Sequence, residues 1–190
     1  MKNLIFGIAI SSLLVAACNS GSKETATENN TSNDSSSAAT EATSVNASSI
    51  DGILNPYFAL KNALTQDNDN AAAEAGKEMV KAFESFDEGS LNAEQTKVYT
   101  DIQEDAIEHA KHIGDNVGNI KHQREHFETL SEEIYELAKS VDGDRKLYYT
   151  NCPMYNNNKG ANWVSEVKEI RNPYLGKEML ECGTIKEELN

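Results

Sequence analysis

Two short stretches near the C-terminus place a cysteine and a methionine close together. Cys152 lies two residues before Met154, and Met179 lies three residues before Cys182. Thiolate and thioether sulfurs prefer soft ions such as Cu(I), so the two stretches folded together would offer four soft ligands. The C-x-x-C spacing typical of zinc sites is absent. In an oxidising compartment the same cysteines favour a disulfide closing a loop of about thirty residues. Unpaired buried thiols are the third alternative.

The chain has four histidines, and all of them fall in two segments with helical periodicity. His109 and His112 share a helix face with Asp105, while His122 and His126 are one helical turn apart. Imidazoles on facing helices can bind copper or zinc. His109 interrupts an apolar stripe and is therefore either a metal ligand or a hydrogen-bonded core residue. The other three are either ligands or solvated surface residues.

Other chemistries are poorly represented. The Glu-x-x-His pairs of ferritin-like di-metal bundles are absent, as are the G-x-S-x-G, phosphate-loop and G-x-G-x-x-G motifs. We therefore expect a protein that is not an enzyme. The formal net charge of −14, from 17 basic and 31 acidic residues, argues against nucleic acid as a partner.

The N-terminus has the layout of a signal peptide. Lys2 precedes an apolar run from Leu4 to Val15, and Ala16–Ala17 stand before Cys18. This arrangement resembles the bacterial lipoprotein processing motif, which implies cleavage after residue 17 and attachment of lipid, including palmitate, to Cys18. An ordinary secreted protein is the alternative. No inner-membrane retention signal follows Cys18, so we expect an anchor in the outer membrane facing the periplasm.

The remaining chain divides into a linker and one domain. Residues 18–47 are polar and predict a disordered tether. Residues 48–190 form the predicted globular domain, in which apolar residues recur at helical spacing in four segments. These helices are expected to begin near Ser48, Asp69 or Asn70, Leu91 and Asn119. Short connections predict a mainly α, up-and-down four-helix bundle.

The C-terminal tail, residues 146–190, departs from helical periodicity. Residues 146–150 favour an extended segment, residues 156–160 a turn, and residues 162–167 a short strand or helical turn. Its apolar and aromatic content predicts an irregular or short-strand tail packed on the bundle. Trp163 is interpreted as the packing anchor or, alternatively, as a π face that caps a soft cation.

Several stretches carry a family resemblance. LYYTNCPMYNNNKGANWVS, EIRNPYLGKEML and ECGTIK in the tail, His109–Ala110, and the run from Gln123 to Ser131 are similar to the domain-of-unknown-function three-three-four-seven family. The resemblance extends over nearly all of residues 52–188. Members are small bacterial lipoproteins or C-terminal domains of periplasmic adaptor subunits in copper and silver efflux pumps. The run from Tyr149 to Met154 is also similar to the start of heavy-metal-binding domains, although it lacks their His-Pro continuation.

The resemblance implies a ligand set and a role. The implied metal ligands are His109, Cys152, Met154, Met179 and Cys182, with His112, His126 and Trp163 as further candidates. We therefore expect a periplasmic lipoprotein that binds Cu(I) or another soft ion and buffers it or transfers it to an efflux adaptor. The alternative is a helical interaction module of the cell envelope, stapled by a Cys152–Cys182 disulfide and without a metal role.

Overall fold

The computed structural model describes residues 50–141, 143 and 145–189. The predicted signal peptide, the lipidation site Cys18, the tether and the predicted helix cap Ser48 all lie outside the described residues. Among the helices that are described, none combines the length and the apolar character required to cross a membrane.

Four long helices make up most of the described chain. They are α1 (Asp51–Thr65), α2 (Asp69–Glu84), α3 (Ala93–Asp115) and α4 (Ile120–Ser140). Each helix packs mainly against the one that precedes or follows it, as short connections between antiparallel neighbours require. The predicted mainly α, up-and-down bundle is confirmed.

Polar side chains set where three of these helices begin. The Asn68 side chain accepts a hydrogen bond from the Ala71 amide at the start of α2, so the cap is Asn68 and not Asp69 or Asn70, as the sequence had suggested. Asn92 and Gln95 form a reciprocal capping box on α3, which therefore begins after Leu91. Asn119 caps α4 as predicted.

Small residues let α2 and α3 approach closely. Gly76 of α2 lies against the backbone of α3, where a Cβ atom added at Gly76 would stand 2.8 Å from the Ala110 carbonyl oxygen. On the other side of the interface, Ala106 and Gly114 are also buried. The larger apolar residues that fill the bundle core are fully buried, including Ile53, Tyr57, Leu64, Met79, Phe127, Leu130 and Ile134.

The tail forms a three-stranded antiparallel sheet in the order β2-β1-β3. The strands are β1 (Leu147–Cys152), β2 (Ala161–Ser165) and β3 (Thr184–Leu189). The sequence predicted an extended segment at β1 and a short strand or helical turn at β2, where the structure has a strand, but it did not predict β3. In β3 the predominantly polar sequence TIKEEL gave no apolar signal, because only Leu189 is buried.

Buried polar contacts attach this sheet to α1 and α4. The Tyr57 hydroxyl lies 2.9 Å from Ser131 Oγ and accepts a hydrogen bond from the Val164 amide. Lys61, which is fully buried, pairs with Glu166 at 2.6 Å. The tail is thus held on the bundle by apolar packing and by hydrogen bonds that would be costly to leave unmade.

Candidate metal centre

The four histidines meet in one cluster at the α3–α4 interface, where His126 is the central ring. Its Nδ1 atom lies 2.9 Å from His109 Nδ1, and its Nε2 atom lies 3.1 Å from His122 Nε2. The His112 ring stacks on it in parallel, with ring centroids 4.4 Å apart. Because the two helices are antiparallel neighbours, residues spaced by three or four positions on each helix converge on the same level of the bundle.

Three of these histidines have the geometry of a candidate ligand group. His112, His122 and His126 each offer one ring nitrogen, and the three atoms lie within 4.8 Å of one another. Imidazole nitrogens bind Zn²⁺ at about 2.0–2.1 Å, so the rings have to move closer together to share one ion. His109 lies outside this group of three and contacts the Nδ1 atom of His126, the ring nitrogen that does not contact His122.

The protonation state of the cluster suits metal binding. Burial, together with the neighbouring His112, His122 and His109 imidazoles, lowers the pKa of His126 to about 4. Burial also lowers the pKa of His109. Metal ligation requires a neutral imidazole, and these two rings are neutral at pH 7 without a metal having to displace a proton.

Carboxylates surround the cluster on its solvent side. Glu108 Oε1 lies 3.7 Å from His112 Nε2, and Glu125 Oε2 lies 3.3 Å from His122 Nδ1. Such contacts orient imidazole rings and add negative charge that attracts cations. His112 is exposed and opens into a surface cleft that it lines together with Glu108, Lys111 and Asp115. An ion could therefore enter and leave without unfolding the bundle.

The two cysteines come together in the tail. Cys152 Sγ, fully buried at the end of β1, lies 3.5 Å from the Sγ atom of the partly exposed Cys182. The two methionines of the predicted sulfur set lie at the surface, with exposed fractions of 48% for Met154 and 37% for Met179. The structure therefore places the two thiols next to each other without a bond between them and leaves the two thioethers accessible to solvent.

The thiol pair and the histidine cluster occupy different sides of α4. Glu128 and Glu132 contact the tail through Asn156 and Asn162, and both lie roughly 120–160° around the helix from His126. Among the described residues, the one group of three His, Cys, Asp or Glu side chains close enough to share an ion contains neither cysteine. His109 contacts His126, and the structure does not bring it together with the sulfur residues as the predicted ligand set required.

The structure bears on two further residues considered in the sequence, His122 and Trp163. His122 was left out of the predicted ligand set, yet it belongs to the three-imidazole group; its spacing of four residues from His126 was the available signal. Trp163 is 1% exposed and packs edge-on against Tyr174, where it serves as the anchor of the tail.

Comparison with known proteins concerns the helical part of the chain. Residues 53–146 match the family described as "Protein of unknown function (DUF3347)". The match includes all four histidines and ends just before β1, so Cys152 and Cys182 lie beyond it. None of the curated proteins and none of the solved structures matches the chain. The helical bundle is therefore similar to the DUF3347 family, as the sequence resemblance predicted.

Proposed function

We propose that the protein is a lipid-anchored protein of the cell envelope that binds a transition-metal ion, copper in the first instance, at the four-histidine cluster. The observation that supports this most directly is the convergence of the His112, His122 and His126 ring nitrogens within 4.8 Å of one another. His109 supplies a further imidazole to the same cluster.

The ligand type favours copper or zinc over harder ions. Imidazole binds both metals well, and at sites of nitrogen and oxygen ligands Cu²⁺ binds most strongly among the divalent first-row ions. Partial exposure of the cluster suits a site that exchanges its ion, as buffering or transfer to an efflux adaptor would require. The family resemblance of the sequence motivates the efflux adaptor as a partner.

Titration with Cu²⁺ and Zn²⁺ in separate experiments tests this proposal. The full chain is titrated by calorimetry, and its melting temperature is followed as the metal is added. A metal that binds only the native state stabilises it, by about 2.7 kcal/mol at a free metal concentration of one hundred times Kd, and so raises the melting temperature.

His126→Ala should weaken metal binding at least tenfold, since His126 is the central ring of the cluster. Lys97→Ala, on the exposed face of α3 and away from the cluster, is the matched control. Equal affinity in His126→Ala and wild type would contradict the proposal.

Cu(I) binding by sulfur is a separate part of the proposal. Cys152 and Cys182 supply two thiols 3.5 Å apart, with Met154 and Met179 elsewhere on the tail surface. Reduced protein is titrated with Cu(I) without oxygen, and Cys152→Ala should lose Cu(I) while keeping its Cu²⁺ affinity. Loss of both metals together would mean that one shared site exists, contrary to the two separate locations.

Lipid attachment at Cys18 completes the proposal. In cells, Cys18→Ala should move the protein from the membrane fraction to the soluble fraction and abolish incorporation of labelled palmitate. Retention of the variant in the membrane would contradict the anchor.

A second candidate function is an interaction module of the cell envelope without a metal role. The contact between the two cysteine sulfurs favours it, because a disulfide would staple the tail sheet. Under this alternative no metal raises the melting temperature of the protein, in either its oxidised or its reduced form.

A further inference from the structure

The tail backbone places the two thiols independently of any bond between them. β1 pairs with β3 up to Asn151 and Thr184, so the chain enters β3 directly beside the end of β1. The Asn172 side chain donates a hydrogen bond of 2.6 Å to the Cys182 carbonyl, and the Asn172 amide donates to the Leu180 carbonyl. The segment that carries Cys182 is therefore held from both sides.

A close aromatic contact restricts the same segment further. At Gly183, a Cβ atom would stand 2.8 Å from Cη2 of the buried Trp163 ring, so only glycine allows the chain to pass at this distance. The backbone on either side of Cys182 is thus fixed by packing and hydrogen bonds. Formation of a covalent bond between the sulfurs requires side-chain rotation and little movement of the main chain.

The two thiols differ in access to solvent. Cys152 has 0% exposure and sits in the core cluster, whereas Cys182 is partly exposed. A reagent in solution therefore meets Cys182 first. Burial and the neighbouring Cys152 raise the pKa of the Cys182 thiol, which keeps its thiolate fraction small and its reactions slow.

We infer that Cys152 and Cys182 form a reversible modification site: a low-molecular-weight disulfide oxidises them to an intramolecular disulfide, with Cys182 reacting first and Cys152 second. This inference goes beyond the proposed binding of Cu²⁺ or Zn²⁺ at the histidine cluster, and it concerns the same two thiols as the proposed Cu(I) site.

The reaction consists of two thiol–disulfide exchanges. The Cys182 thiolate attacks one sulfur of the oxidant, the oxidant's S–S bond breaks, and one thiolate leaves. Cys152 then loses its proton and attacks the Cys182 sulfur of the mixed disulfide, releasing the second thiolate. The protein loses two electrons and two protons, and the oxidant is reduced to two thiols.

Oxidised glutathione provides the test. The full chain is used with Cys18→Ala, so that Cys152 and Cys182 are the only thiols. After reduction it is incubated with oxidised glutathione at pH 8, and intact mass and disulfide-linked peptides are measured over time. Two variants of this protein, Cys152→Ala and Cys182→Ala, isolate the two steps. Circular dichroism and the melting temperature establish that each is folded before it is compared.

Each protein has a distinct expected product. The protein with both thiols should lose two hydrogens and yield a Cys152–Cys182 peptide, with little glutathione adduct at any time. Cys152→Ala should accumulate a stable glutathione adduct at Cys182. Cys182→Ala should react at least tenfold more slowly, since its remaining thiol is buried. The oxidised protein should melt on the order of 10 °C above the reduced one.

Two results would overturn the inference. One is a lasting glutathione adduct on the protein with both thiols, because Cys152 then fails to resolve it. The other is equal reaction rates of folded Cys152→Ala and Cys182→Ala, which would remove the order of the two steps. Neither result bears on Cu²⁺ or Zn²⁺ binding at the histidine cluster, which is measured on His126→Ala.

Discussion

The half-buried carboxyl of Glu133 on α4 provides the sharpest test of the electrostatics at the α3–α4 interface. Its Oε2 atom is buried without a hydrogen-bond partner. Burial and the nearby charge of Asp105 raise the pKa of Glu133 from 4.5 to about 8. At pH 7 the folded protein therefore holds a proton that the unfolded chain releases. We expect Glu133→Gln to stabilise the protein at neutral and alkaline pH, since the amide carries no charge to bury.

The sign and size of this effect follow from proton linkage. The folded state binds the extra proton between pH 4.5 and about 8, so the Glu133 contribution to the unfolding free energy falls as the pH rises through this window. The whole pKa difference corresponds to about 5 kcal/mol above pH 8. Because water reaches part of the side chain and screens its charge, we take about a quarter of this, roughly 1–1.5 kcal/mol.

Urea unfolding at pH 4.5, 7 and 8.5 measures the effect. Glu133→Gln should match the wild type at pH 4.5 and exceed its stability by roughly 1–1.5 kcal/mol at pH 8.5. Glu136→Gln, at an exposed position of the same helix, is the control and should show no such trend. A Glu133→Gln variant that is less stable than wild type at pH 8.5, or a difference independent of pH, would refute the reasoning.

Three further substitutions test how the domain is held together, each by chemical unfolding at pH 7. Gly76→Ala should destabilise the domain by about 1–3 kcal/mol, because the new methyl group meets the Ala110 carbonyl and this outweighs the better helix propensity of alanine. A gain in stability would show that α2 and α3 can move apart at little cost. Glu166→Ala should cost about 2–4 kcal/mol because it leaves the buried Lys61 ammonium without its partner, and a neutral outcome would mean that Lys61 reaches water. Asn92→Ala should lower the free energy of unfolding by about 1 kcal/mol through loss of the α3 capping box. An unchanged unfolding midpoint would mean that the capping box does not contribute to stability.

Much of the helical architecture could be predicted from local sequence. The apolar spacing of Ile53, Tyr57, Leu60 and Leu64 defined the buried face of α1, since residues three and four apart share a helix face. Asn119 marked the start of α4 for an equally local reason, namely that its side chain accepts a bond from the first helical turn. The strand β3 could not be found this way, because its alternation is weak and its place is set by pairing with β1.

The sequence by itself determined which residues are available for chemistry: four imidazoles in two helical segments and two thiols in the tail. Only the tertiary structure decided how they combine. The packing of α3 on α4 makes His126 the centre of four histidines and includes His122. The pairing of β1 with β3 brings Cys152 to Cys182 on another side of α4. Contacts between residues far apart in the chain depend on packing register and on the face that each element buries, and local spacing carries neither.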